Sequence, residues 1–152
     1  MLRMLEPSMN PVSNINMHLK YIQLPEGLRI INDYFFRGME SLTTITPYKY
    51  GATENAIILP ESLAYIGQSA FNQAFDSNIK ISLIKIPANV AVLRRLAFGN
   101  LSTEIEEVQF GSSERKSILH ILDNSDSYNS STSALTNYIY NHNSKKTSKV
   151  TF

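Results

Sequence analysis

Residues 57–71 read Ile57-Ile58-Leu59-Pro60-Glu61-Ser62-Leu63-Ala64-Tyr65-Ile66-Gly67-Gln68-Ser69-Ala70-Phe71, and their apolar spacing returns around two other prolines. With Pro60 as position zero, apolar residues stand at −3 and −1 (Ile57, Leu59), +3 and +6 (Leu63, Ile66) and +11 (Phe71). From Pro25 the same offsets give Ile22, Leu24, Leu28, Ile31 and Phe36; from Pro87 they give Ile84, Ile86, Val90, Leu93 and Phe98. Fifteen apolar positions agreeing without a shift mark an internal repeat.

The upstream half of the phrase alternates, so −3 and −1 point to one face of a strand and −2 to the other. Proline has no N–H to give a ladder and ends the strand where the chain must turn. The pattern apolar-x-x-apolar-x-apolar recurs as Leu19-x-x-Ile22-x-Leu24, Ile81-x-x-Ile84-x-Ile86 and Ile105-x-x-Val108-x-Phe110, where Gly111 replaces the proline. Downstream, spacings of three, three and five suit an irregular return arc or a short helical turn. At +7 stand Asn32, Gly67 and Arg94. Glycine and asparagine tolerate left-handed backbone, which places a tight bend there. At +10, Ala70 and Ala97 are small enough for close stacking, and Phe35 fits a first coil with no earlier neighbour.

The period is uneven: 35 residues from Pro25 to Pro60, 27 to Pro87 and 24 to Gly111. The stretch from Arg37 to Ile45 begins a next strand at the expected place, Pro47 interrupts it, and residues 46–56, with Tyr48 and Tyr50, read as a loop inserted into a unit of 23–24 residues. After Gly111 the +3 and +6 positions are Glu114 and Ser117 and the cadence fails; residues 117–122 read as a short strand or helical turn closing the stack. The expected organisation is an N-terminal arm (1–18), a repeat region of about three to four coils (19–122), and a Ser/Asn-rich loop, short helix and basic tail (123–152). That helix is expected over 134–141 with Ser133 as its cap.

A chain of 152 residues, 43% hydrophobic and 18% charged, has the composition of an ordinary soluble domain. Its net charge of +1 supplies no field to draw nucleic acid, a membrane surface or acidic substrates. With no cysteine there are no disulfides, thiol nucleophiles or cysteine-held zinc. The first residues lack the apolar run of roughly 7–15 that a secretory signal needs. No segment approaches the ~20 apolar residues of a membrane span. No membrane insertion is expected, and localisation stays open between the cytoplasm, a particle and a fragment of a surface protein.

Chemistry is sparse. His18, His120 and His142 are scattered. His120 with Asp123 and Asp126 sketches a metal or acid–base site, but a polar loop start accounts for the same residues. There is no G-x-S-x-G and no phosphate-cradling glycine loop, so neither an enzyme nor a bound cofactor or metal is expected. Lys145, Lys146 and Lys149 sit in a tail without a wider basic patch, which argues against nucleic acid. Asn100-Leu-Ser102 and Asn129-Ser-Ser131 fit the glycosylation sequon and, without an export signal, read as chance.

The phrase Ile-x-Leu-Pro-x-x-Leu-x-x-Ile-Gly-x-x-Ala-Phe, with Gly38-Met39-Glu40-Ser41-Leu42-Thr43-Thr44-Ile45, resembles the BspA-like class of leucine-rich repeats over about residues 19–111. The unit length also falls in the range of roughly 20–29 residues for such repeats. Met39 departs from the cysteine usual in that family. The resemblance implies a repeat solenoid of leucine-rich-repeat type (α/β class). In it each coil adds one strand to a short, parallel β-sheet, with irregular or short helical return arcs. It also implies non-enzymatic work as a protein–protein interaction or adhesion module, and it transfers no binding residues.

If −3 and −1 fill the core, −4 and −2 face outward as Tyr21/Gln23, Ala56/Ile58, Leu83/Lys85 and Glu107/Gln109. Parallel strands stack them about 4.8 Å apart, the kind of surface on which solenoids bind partners. The candidate contact residues are Tyr21, Gln23, Ile58, Lys85 and Gln109, with Tyr48 and Tyr50 in the loop, where tyrosine offers large contact area with few rotors. The expected partner is another protein. The alternative is a structural subunit of a larger assembly such as a virion (phage) component, because a short array leaves apolar ends that neighbours would cap.

Overall fold

The computed structural model describes residues 18–48, 51, 53–99, 101–122 and 147–152. Residues 1–17 of the arm, Tyr50, Asp123, Asp126, His142, Lys145, Lys146 and the helix expected at 134–141 with Ser133 lie outside them. In chain order the strands are β1 (Tyr21–Leu24), β2 (Ile30–Ile31), β3 (Thr44–Pro47), β4 (Ala56–Ile58), β5 (Tyr65–Ile66), β6 (Lys80–Ile86), β7 (Val92–Leu93), β8 (Glu104–Phe110), β9 (Ile121–Leu122) and β10 (Thr147–Thr151). They form a six-stranded sheet, β1-β3-β4-β6-β8-β10, and a four-stranded one, β2-β5-β7-β9. Every pairing between strands is parallel. The chain is a β-solenoid of about four turns, in agreement with the repeat reading.

The repeated apolar positions make the core. Ile57, Leu59, Leu63, Ile66 and Phe71 of the clearest copy are each at most 1% exposed. Phe36, Phe71 and Phe98 stack face to face with centroids 4.9 and 4.8 Å apart. Those spacings match the distance between neighbouring strands, about 4.8 Å, so one ring per coil falls into register with the ladder.

The return arcs hold no α-helix among the described residues. Each carries a two-residue strand and then a run of turns that bonds to the next coil. The N–H groups of Tyr34, Phe36 and Gly38 donate to the carbonyls of Gln68, Ala70 and Asn72, and those of Ser69, Phe71 and Gln73 donate to Arg95, Ala97 and Gly99. Backbone groups that a helix would pair internally are here paired between coils, which fixes the stack. Left-handed backbone recurs at +9 (Tyr34, Ser69, Leu96) and +13 (Gly38, Gln73), not at +7 as expected. Gly67, at +7, meets a different need: a Cβ there would lie 2.5 Å from the backbone nitrogen of Asp33 in the previous coil.

Three other expectations change. Thr46 and Pro47, placed in a loop by the sequence reading, belong to β3, and Ala56 opens β4, so the connection shortens to 48–55. Leu42-x-x-Ile45-x-Pro47 repeats the strand pattern, and Ile45 pairs with both Ile22 and Ile57. β2 and β5 bond directly, so β3 has no counterpart in the second sheet.

The lost cadence after Gly111 is an insertion of five residues (116 − 111 = 5), closed by a bridge between Gly111 and Lys116 and by Ser112 N–H on the Arg115 carbonyl at 2.7 Å. Beyond it Leu119 packs against the core and Leu122 pairs with Leu93, so the +3 and +6 positions resume. Finally, the basic tail is not separate from the solenoid: β10 pairs with β8, and Phe152 stacks on Phe110 at 4.9 Å.

Candidate interaction face

Strand register lines up two rows of side chains on the outer side of the six-stranded sheet. One runs Tyr21–Thr44, then Ala56–Leu83–Glu107–Lys149; the other runs Gln23–Thr46, then Ile58–Lys85–Gln109–Thr151. The Ile45–Ile57 pair joins the two halves of each row. Gln23, Ile58, Lys85 and Gln109 therefore share one row, and Tyr21 stands in the adjacent one. Tyr21 and Gln23 are exposed, while Ile58, Lys85 and Gln109 are half-buried. Tyr48 is exposed just past β3, with its N–H on the Leu24 carbonyl at 3.1 Å. Tyr50 lies outside the described residues.

The ladder is closed at its centre. Thr44, Thr46 and Ala56 alternate with core residues and so point outward, yet all three are buried. Ala56, expected to face solvent, does not. The cause is local: Asn55 donates its N–H to Thr44 Oγ1 at 3.1 Å, and its carbonyl accepts the N–H and Oγ of Ser82 at 2.8 and 3.2 Å. The end of the 48–55 connection thus lies against this side of the sheet. Thr46 is satisfied from the other flank by the Tyr21 hydroxyl at 3.1 Å. Beside this covered strip, Lys20, Tyr21, Thr43, Thr44, Glu54 and Asn55 line a recess of about 410 Å³.

On the β6–β8–β10 half, charges alternate in sign. Lys80 Nζ is 3.6 Å from Glu104 and 3.9 Å from Glu106, and Lys85 Nζ is 3.9 Å from Glu61. Glu107 Oε1 receives Lys149 Nζ at 3.6 Å and the Thr151 hydroxyl at 2.8 Å. Pairs this exposed contribute at most about 1 kcal/mol each to stability. Gln109 Nε2 donates to the Gly111 carbonyl at 3.1 Å, which holds its side chain against the sheet.

The sequence reading missed Thr46, Lys149 and Thr151 on this face because it let Pro47 break the strand that begins before Ile45 and took β10 for a tail. The signal was present in Leu42-x-x-Ile45-x-Pro47 and Thr147-x-x-Val150-x-Phe152, which repeat the strand spacing without a proline after it.

Elsewhere, His120 is exposed with Nδ1 3.0 Å from the Ile118 carbonyl oxygen. Its suggested companions Asp123 and Asp126 lie outside the described residues, and among those residues no three His, Asp or Glu side chains are grouped to hold a metal. No helix among them is long and apolar enough to cross a membrane.

A family model described as the BspA type leucine-rich repeat region matches residues 13–74 and 48–152, in six copies. The match reaches beyond residues 19–111, where the resemblance was legible, and takes in the tail strand. No curated protein and no solved structure matches the chain. Leucine-rich repeat domains generally bind other proteins and are generally non-enzymatic. With matches covering residues 13–152, the chain belongs to the BspA-type leucine-rich repeat family.

Proposed function

We propose that the chain is a non-enzymatic protein-interaction or adhesion module that engages its partner through the outer face of the six-stranded sheet. The observation that carries this reading is the row Gln23, then Ile58–Lys85–Gln109–Thr151 beyond the covered Thr46, which holds polar, charged and apolar groups at fixed spacing on a hydrogen-bonded scaffold. Such a mixture suits a protein surface, since interfaces combine apolar contact with oriented hydrogen bonds. Tyr48 at the edge of the face adds aromatic contact. The test is capture of binding proteins by the chain and by a variant with Gln23, Ile58, Lys85 and Gln109 changed together. Loss of capture supports the reading, provided a variant on the outer side of the four-stranded sheet still captures. Undiminished capture by the four-residue variant overturns it.

The second reading is a structural subunit of a larger assembly. It is favoured by exposed apolar side chains at both ends of the solenoid.

A further inference from the structure

We propose that copies of this chain associate head to tail, the first coil of one copy stacking on the last coil of another so that both parallel sheets continue across the contact. The contact uses the margins of the two sheets, of which only β1 and β10 also belong to the sheet face above, and the variants below lie off the row proposed to bind a partner, so the two proposals fail separately.

Three observations carry it. The first is where apolar surface is left open. Of the six exposed large apolar side chains among the described residues, Tyr21, Ile30 and Tyr34 lie on the first coil and Ile118 and Phe152 on the last. The sixth, Tyr48, borders β1 through its bond to Leu24. Exposure rises where, among the described residues, no further coil lies alongside. Ile30 is 49% exposed, while Tyr65 and Val92 at the same register are half-buried. Likewise Ile22 is half-buried where its equivalents Ile57, Ile84 and Val108 are at most 1% exposed.

The second is strand direction. β1 and β2 form one margin of the two sheets, β10 and β9 the other, and all pairings are parallel. An edge strand is a template for another chain. Here only unlike margins can meet with both sheets keeping their direction.

The third is register. Continuing the pairing by one more coil sets Val150 beside Ile22, Phe152 beside Leu24 and Leu119 beside Leu28. The inward positions then match apolar to apolar, as they do inside the molecule. Outside, Lys149 falls beside Tyr21 and Thr151 beside Gln23, with no like charges opposed in this sheet. A second copy supplies this spacing because its coils repeat the same phrase. The contact is heterologous, so it builds oligomers beyond the dimer, closed into rings or open according to the rotation between copies.

The test is sedimentation velocity of the full 152-residue chain over a concentration series, with two variants. Ile30→Asp/Tyr34→Asp blocks the first margin and Phe152→Asp blocks the last. Circular dichroism melts confirm that both variants fold. The expected result is growth of the wild type beyond dimer with concentration, loss of association in each variant alone, and a single 1:1 species when the two are mixed. A wild type that stays monomeric throughout overturns the proposal. So does either variant dimerising alone, because like margins would then be meeting.

Discussion

Replacing Phe71 by alanine tests whether the ring column, and not simply apolar volume, holds the coils together. Phe71 is fully buried and touches three rings: Phe36 at 4.9 Å, Phe98 at 4.8 Å and Phe75 at 5.7 Å. Phe98 is similarly buried but, among the described residues, stacks on Phe71 alone. Truncating a core phenylalanine costs about 3–5 kcal/mol. Each ring pair adds roughly 0.5–1.5 kcal/mol beyond area burial. The two extra pairs therefore separate Phe71→Ala from Phe98→Ala by roughly 1–3 kcal/mol. Against a typical total stability of about 5–15 kcal/mol, the Phe71 variant is close to unfolding. Phe71→Leu refills most of the volume and isolates the ring contribution. Urea titrations followed by circular dichroism give each midpoint and slope, with a constant slope licensing the comparison. If Phe71→Ala costs no more than Phe98→Ala, the rings act as filler and the column argument is wrong.

Other perturbations separate causes that look alike in sequence. Gly27→Ala meets no atom within 4 Å but sits at φ +91, so it should cost only about 1 kcal/mol; Gly67→Ala, whose Cβ would strike the Asp33 backbone, should cost clearly more in the same titration. Gln73 is exposed with φ 56 at the register where the first coil has Gly38, so Gln73→Gly should stabilise by up to about 1 kcal/mol, and a lowered urea midpoint would refute that. Deleting residues 46–57 joins Ile45 to Ile58 and writes Leu-Thr-Thr-Ile-Ile-Leu-Pro, the regular phrase, with a proline spacing of 35 − 12 = 23. That deletion should leave a cooperatively folded solenoid with one strand fewer; loss of the sigmoidal thermal transition would show that β3 is indispensable.

What could be read in advance follows from what the physics of stacking repeats. Inward positions recur because each must match the coil beside it, so Ile57, Leu59, Leu63, Ile66 and Phe71 announced both the solenoid and its core. The proline was a poorer guide. It ends a strand but does not make one, and reading it as an interruption cut β3 short, where Pro47 itself takes the last inward place beside Leu24. Anchoring the pattern on it hid β10, where the lysines suggested a tail although Val150 and Phe152 keep the inward spacing. The left-handed positions were illegible because tyrosine, serine, leucine and glutamine occupy them, held there by bonds between coils rather than by their own preference. The rows of the face followed once register was known, but the closing of Thr44, Thr46 and Ala56 depends on how one short connection runs, which no period encodes.

The unmatched strand β3 also sets the curvature of the molecule. Between the first two coils the large sheet advances two steps while the small sheet advances one. One extra step of about 4.8 Å across a core about 10 Å thick opens the coil planes by roughly 25°. Later coils advance one step on each side, so their register adds no further wedge. The register therefore places a wedge at this one joint, open on the side of the candidate face. Tyr21 and Gln23 look out from one facet, Lys85 and Gln109 from another, with the covered strip as the crest between them. A flat, rigid partner can lie on one facet only, and a partner that reads both must itself be hollowed to straddle the crest.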